Sequence, residues 1–292
     1  MVQHAETSDL SLPRILCLHG GGSNARIFRA QCRVITSHLR GRFRLCFADA
    51  PLPSKPGPDV LSVYEGWGPY RAWLPPAWID GIPDREMGQV DAAITLVEDV
   101  IESTMEADNL SASGPWVGIM GFSQGAKTAA SVLLRQQLQL EVGAVPRFSF
   151  KFGVILAGRG PLVTGIEGTF LTTSRAIRKA NLAFRGHRFG EAENEREDAG
   201  NKLAGLGNTR QPIHGHVEPD QRLHIPTTHV HGLGDPGLQL HRRLREEWCE
   251  PNSTRLLEWD GGHRIPIKAK DVAVLVDHIL RMAEASGVQC VP

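Results

Sequence analysis

Short apolar runs alternate with longer segments of helical spacing along this chain, and that alternation restricts it to a parallel sheet covered by helices on both faces. "RILCLHG" (14–20) ends in glycines as a buried parallel strand does, and "SNARIFRAQCRVITSHL" (23–39) follows with helical spacing at Ile27, Phe28, Val34, Ile35 and Leu39. "FRLCFADAP" (43–51) reads as a second strand, and "DREMGQVDAAITLVEDVIESTM" (84–105) as a helix with Val90, Ile94, Val97 and Ile101 on one face. "WVGIM" (116–120) gives a third strand before a helix at 124–138, and the run at 150–158 a fourth. "TTHVHG" (227–232) and "TRLLEW" (254–259) complete six strands, and residues 268–285 close the chain as a helix.

The 292 residues fit one such α/β domain. Residues 160–225 interrupt the alternation with a polar insertion, expected as a lid or cap within a single domain spanning 1–292. Lys+Arg and Asp+Glu both number 32, so no excess charge favours nucleic acid or an anionic membrane. No apolar stretch is long enough to span a bilayer, and "MVQHAETSDLSLPR" lacks the apolar core of a secretory signal. The five cysteines read as reduced, structural thiols, and the expectation is a cytoplasmic protein.

The chemistry concentrates at "GFSQG". Ser123 stands between Gly121 and Gly125, directly after a strand and before a helix. This is the G-x-S-x-G nucleophile elbow, in which a sharp turn at positive φ holds the hydroxyl at the carboxyl edge of the sheet. Serine is a weak nucleophile and needs a base, an acid that orients the base, and donors for the oxyanion. In this architecture the three follow in the order Ser, Asp or Glu, His. Asp235 lies just past the fifth strand and His263 just past the sixth. Asp260 and Asp220 are rivals for the acid, and His231 for the base, although His231 falls within a strand where a satisfied core histidine is the simpler reading. The backbone N–H of Gln124, at the helix start, supplies one oxyanion donor. The second comes from the loop "LHGGGSN", with Gly21 as first choice and Gly22 as alternative. That loop matches neither G-x-x-x-x-G-K-[ST] nor G-x-G-x-x-G, so a phosphate or dinucleotide cradle is set aside.

"LHGGGSN", "GFSQGA", "HGLGD" and "DGGHRIP", with "ADAPLP" and "GPYRAW", resemble the fungal serine hydrolase (FSH) family of α/β-hydrolases over about residues 13–285. The resemblance implies an α/β-hydrolase fold, a mostly parallel sheet with helices on both faces, and a triad of Ser123, Asp235 and His263. It also implies hydrolysis of an ester or thioester, of the kind performed by thioesterases and esterases beside polyketide synthases in secondary metabolism. It calls for no cofactor. An acyl carrier protein or polyketide synthase is the implied macromolecular partner. The alternatives are a carboxylesterase for small free esters and a catalytically silent binding protein of the same fold.

Residues 64–78, "YEGWGPYRAWLPPAW", hold both tyrosines and three of the six tryptophans. They are expected either to wall an acyl pocket, with Tyr70 and Trp73 against substrate, or to form a surface loop tied down by its own aromatics. His214, His216, His224, His229 and His231 cluster in sequence but lack regular spacing, so no metal site is assigned. Arg175, Arg178, Lys179, Arg185 and Arg188 surround an amphipathic helix expected at 172–184, a candidate docking patch for an acidic carrier.

Overall fold

The computed structural model describes residues 10–58, 60–78, 82–165 and 221–289. Most of the insertion expected at 160–225, with its helix at 172–184 and the basic residues Arg175 to Arg188, lies outside the described residues.

Six strands form one parallel sheet: β1 (Arg14–Leu18), β2 (Arg44–Ala48), β5 (Trp116–Phe122), β6 (Phe152–Leu156), β7 (Thr227–Gly232) and β8 (Thr254–Trp259), in the spatial order β2-β1-β5-β6-β7-β8. Two short strands, β3 (Leu52–Pro53) and β4 (Arg71–Ala72), pair antiparallel in a hairpin outside it. The chain runs from β1 to the edge at β2, then returns to the other side of β1 as β5. The strand order therefore reverses between β1 and β5, where an open α/β sheet leaves a crevice at its carboxyl edge.

Helices α1 (Ala25–Gln31), α2 (Arg33–Leu39), α3 (Val60–Tyr64), α4 (Val90–Asn109), α5 (Gln124–Glu141), α6 (Leu238–Trp248) and α7 (Ala269–Ala285) accompany the strands. Residues alternate along β1, as a pleated strand requires. Leu16 and Leu18 pack with α4 and α5, while Ile15 and Cys17 pack with α1, α2 and α7.

Three elements depart from the sequence pattern. The single helix expected at 23–39 breaks at Cys32, whose φ of −83° and ψ of 5° end α1. Ile27 and Phe28 before the break and Ile35 and Leu39 after it are all buried, so the apolar spacing reads through it. The helix expected from 84 begins as a 3₁₀ segment, Asp84–Gln89, and becomes α-helical at Val90. Helix α6 carries no apolar run in "LQLHRRLREEW" and is held by only three buried side chains, His241, Leu244 and Trp248.

The amino ends of the strands are tied together by one carboxylate. Asp108, in the last turn of α4, accepts hydrogen bonds from Arg14 at 2.9 Å and from both terminal nitrogens of Arg44, that from Nη2 at 2.6 Å. The Arg14 guanidinium also covers the Trp116 ring at 4.3 Å. Burial pushes the Asp108 carboxyl up, but the bonds and charges of Arg44 and Arg14 outweigh it and hold the group below its ordinary value. A carboxyl lowered in the folded state stabilises fully above its unfolded value of about 3.9, and loses that contribution as pH falls through the folded value. Asp108→Asn is expected to lose about 1–3 kcal/mol at pH 7. Urea unfolding should show the gap from wild type closing as pH falls below about 4.

Candidate active site

The turn from β5 to α5 is built by close approach. Ser123 has φ 53° and ψ −114°, a left-handed conformation rare for a residue with a side chain. Its N–H donates to Leu156 O at 2.8 Å, anchoring the turn to β6. A Cβ on Gly121 would lie 2.1 Å from Gly125 O, and one on Gly125 would lie 2.2 Å from Leu18 O at the end of β1. Both flanking glycines are therefore required by backbone contact. Gly125→Ala is expected to destabilise the fold by about 3 kcal/mol or more, since its neighbours are rigid carbonyls, and thermal or urea unfolding measures it.

The turn presents Ser123 to His263. His263 Nε2 lies 2.9 Å from Ser123 Oγ, and its Nδ1 lies 2.7 Å from Asp235 Oδ2. Asp235 leaves the end of β7 and His263 the end of β8. Asp235 Oδ1 accepts the N–H of Gly237 at 2.8 Å, and Oδ2 also faces His241 Nε2 at 3.1 Å. The Asp235 side chain is 2% exposed and the His263 side chain 42%, so the buried end of the chain of bonds carries the charge and the open end the hydroxyl. Burial pushes the Asp235 carboxyl up. The Gly237 N–H, His263 and His241 together outweigh it and hold the group below its ordinary value. Asp235 is thus an anion at neutral pH, with donors on both oxygens.

The rival residues fall elsewhere. Asp260 is 97% exposed and reaches Lys268 at 4.0 Å. Asp220 lies outside the described residues. His231 is buried in β7 as expected, yet neither ring nitrogen makes a hydrogen bond among the described residues, and its nearest charged group is Glu258 at 3.8 Å. It is therefore a core histidine but not a satisfied one. Burial lowers it to about 4, which keeps it neutral.

The glycine loop after β1 faces the serine turn. Of its two candidate donors, Gly22 gives its N–H to Arg71 O at 2.9 Å. The N–H groups of Gly21 and Gln124 make no hydrogen bond among the described residues. The Gln124 side chain, unread in the sequence, staples the neighbouring loop. It accepts from Trp73 N at 2.8 Å and donates to Leu74 O at 3.0 Å. His19, also unread, accepts from Ala50 N at 3.0 Å through Nε2, so Nδ1 carries the ring proton and gives it to Gly20 O at 2.8 Å. Burial lowers His19 to about 4, leaving it a neutral brace. The signal for both was position: one residue directly precedes the glycines, the other directly follows the serine.

The aromatic stretch divides. Trp73 is 1% exposed and donates its indole N–H to His19 O at 2.8 Å, so it lies beneath the glycine loop rather than on an open wall. Tyr70 is half-buried, and its hydroxyl donates to Tyr64 O at 3.2 Å. Tyr64 and Trp67 pack edge to face at 5.3 Å, so part of this loop is held by its own aromatics.

Among the described residues, the clustered histidines sit in separate settings. His214 and His216 lie outside the described residues, His224 is exposed, and His229 lies inside β7 with Thr227 Oγ1 at 3.2 Å. Asp235, His241 and His263 do bring three ligand atoms within 4.8 Å of one another. Their separations of 2.7 and 3.1 Å are hydrogen-bond distances, shorter than the roughly 3.4 Å between ligands around a tetrahedral zinc.

A doubly wound parallel sheet, a serine on a strained strand-to-helix turn, and a histidine and buried aspartate arriving from later strand ends define an α/β-hydrolase. The family model for serine hydrolases (FSH1) matches residues 8–275, and the chain belongs to that family. It is 42% identical over 293 residues to the esterase pigG of Monascus ruber, covering 97% of this chain and 96% of that one. It is 43% identical over 289 residues to the esterase claE of Penicillium crustosum, covering 97% of each. The crystal structure of esterase PE8 shares the fold, with a TM-score of 0.50 at 16% identity over 93% of this chain and 94% of that one. The protein is a hydrolase of ester bonds. No helix among the described residues is long and apolar enough to cross a membrane.

Proposed function

We propose that Ser123, His263 and Asp235 are the nucleophile, base and orienting acid of an acyl-transfer hydrolase. The observation that carries this reading is the unbroken path of hydrogen bonds from the Ser123 hydroxyl through His263 to buried Asp235. Ser123 Oγ attacks the ester carbonyl while its proton passes to His263 Nε2. Asp235 holds the ring so that Nε2 faces the hydroxyl, and stabilises the imidazolium that forms. The uncommitted N–H groups of Gln124 and Gly21 receive the oxyanion. The alcohol or thiol leaves with the proton from His263, and water, deprotonated by the same nitrogen, releases the acid. The chemistry draws only on this chain's side chains and backbone.

The substrate proposed is an acyl ester or thioester of secondary metabolism, in keeping with the esterase names of the fungal relatives. Ser123→Ala is expected to lower kcat by roughly 10⁴–10⁶ and to abolish labelling by a fluorophosphonate. Retained turnover would remove the mechanism. Wild type that neither takes the label nor turns over any member of an acyl panel would leave a silent binding protein. Asp235→Asn should lower kcat by about 10⁴, whereas Asp260→Asn should leave it unchanged.

A carrier-bound thioester is proposed from the sequence alone, on the basic residues between 175 and 188. Reversing Arg175, Arg178 and Lys179 to Glu should slow release from an acyl carrier protein, most at low ionic strength, with small esters unaffected. Equal effects on both substrates, or none, would remove the carrier.

A further inference from the structure

Asp235 is held by two histidines rather than one. The second, His241, sits one turn into α6 with its side chain 2% exposed. Its Nε2 lies 3.1 Å from Asp235 Oδ2, the same oxygen that His263 Nδ1 reaches at 2.7 Å. Its Nδ1 lies 2.9 Å from Gly158 O, just past β6. The two imidazoles are stacked, with centroids 5.9 Å apart and planes 28° apart. With the Gly237 N–H on Oδ1, the carboxylate has three hydrogen-bonding neighbours, two of them on one oxygen.

The groups facing His241 come from several elements. Asp235 and His263 approach from their loops, and His231 of β7 packs on the ring at 5.8 Å. Behind His231 stands Glu258 of β8, which Arg242 of α6 binds at 2.8 Å, and Arg245 lies further along the same helix. Burial lowers His241 from the ordinary histidine value, while Asp235 works the other way. A neutral ring has one proton for two acceptors. The carboxylate is the stronger acceptor, which puts the proton on Nε2.

Resting on the triad reading of Ser123, His263 and Asp235, we infer that His241 is a positioning residue for the hydrolysis. It fixes the plane of the Asp235 carboxylate and takes up part of the negative charge that would otherwise stabilise the His263 imidazolium. Two consequences follow with a definite sign. Without the His241 donor the carboxylate can turn, so His263 is held less well for the transition state. With more negative charge left to it, the imidazolium persists to higher pH, and the free base is available only above that point. In wild type a second proton on His241 in acid would add a positive charge beside His263 and oppose its imidazolium, which widens the same difference between wild type and a variant without the ring nitrogens.

The test compares His241→Phe, which keeps a ring of similar shape without a donor, with His241→Gln, which keeps a side-chain N–H. Activity is read as pH profiles of kcat and kcat/KM on one small ester. The Phe variant should lose kcat about tenfold, as expected for one hydrogen bond to a charged group, with KM nearly unchanged. The acid limb of its kcat/KM profile should move up by about half a pH unit. The Gln variant should recover most of the kcat and the wild-type limb. A wild-type profile in the Phe variant overturns the inference. So does equal loss in both variants with an unshifted limb and a lowered Tm, which marks a packing role. If the Phe variant does not fold, ring ¹⁵N spectra of wild type at pH 7 decide: a proton on His241 Nε2 is expected, and a bare Nε2 overturns it. Ser123→Ala is measured beside them. If it retains turnover, the triad reading itself fails. If it is inactive while both His241 variants match wild type, only the role of His241 is lost.

Discussion

The start of α5 lies directly against the end of β1, and the rest of the site depends on that contact. Gly125 packs its bare Cα onto the Leu18 and His19 carbonyls, so the helix begins closer to the sheet than any side chain would permit. The chain must then turn sharply out of β5, which throws Ser123 to φ 53°. A non-glycine residue in that conformation stores about 1–3 kcal/mol of strain. It persists because the strands on either side over-determine it: β1 meets Gly125, and β6 accepts the Ser123 N–H. The same approach brings the glycine loop of β1 opposite the Gln124 amide. The proposed nucleophile and the proposed oxyanion donors are thus consequences of one packing contact.

That loop is stiffened from behind. Trp73 donates to His19 O, Ala50 N donates to the His19 ring, and the Gln124 amide group bridges Trp73 N and Leu74 O. Each bond uses a polar group that burial would otherwise leave unpaired, at a penalty of about 1–3 kcal/mol. In the loop that these bonds back, Gly22 gives its N–H to Arg71 O, and Gly21 N–H makes no hydrogen bond among the described residues. Donors fixed in advance need no reorganisation as charge develops on a carbonyl oxygen, and that is how such groups lower a barrier.

The parts legible in the sequence are those encoded over short distances. Strand, glycine turn and helix at 116–138 form one continuous pattern, and the order of Ser123, Asp235 and His263 follows from which strand ends can meet. What was not legible depends on contacts between distant segments. Helix α6 shows only Leu244 and Trp248 as apolar anchors amid arginines and glutamates, and its third buried residue is polar. His241 is buried with its ring between Asp235 Oδ2 at 3.1 Å and Gly158 O at 2.9 Å, and no hydrophobic period reports that. Trp73 reads in the sequence as an aromatic against substrate, and its burial depends on a distant partner, His19 O, which accepts its indole N–H.

The choice between Asp235 and Asp260 shows how sheet geometry decides a site. Ser123 leaves β5 and His263 leaves β8, three strand spacings away, or roughly 14 Å across the sheet. The imidazole can meet the serine only if the loop after β8 folds back over the end of β7. It does so through glycine. Gly234 N donates to Gly261 O at 2.8 Å, and a Cβ on Gly232 would lie 2.3 Å from Gly262 O. Asp260 precedes this fold-back and is left pointing into solvent. Asp235 leaves β7 beneath the path of the loop, so His263 passes over it on the way to Ser123. The carboxylate that meets His263 is therefore selected by which strand the returning loop crosses, and closeness to His263 in sequence counts against Asp260.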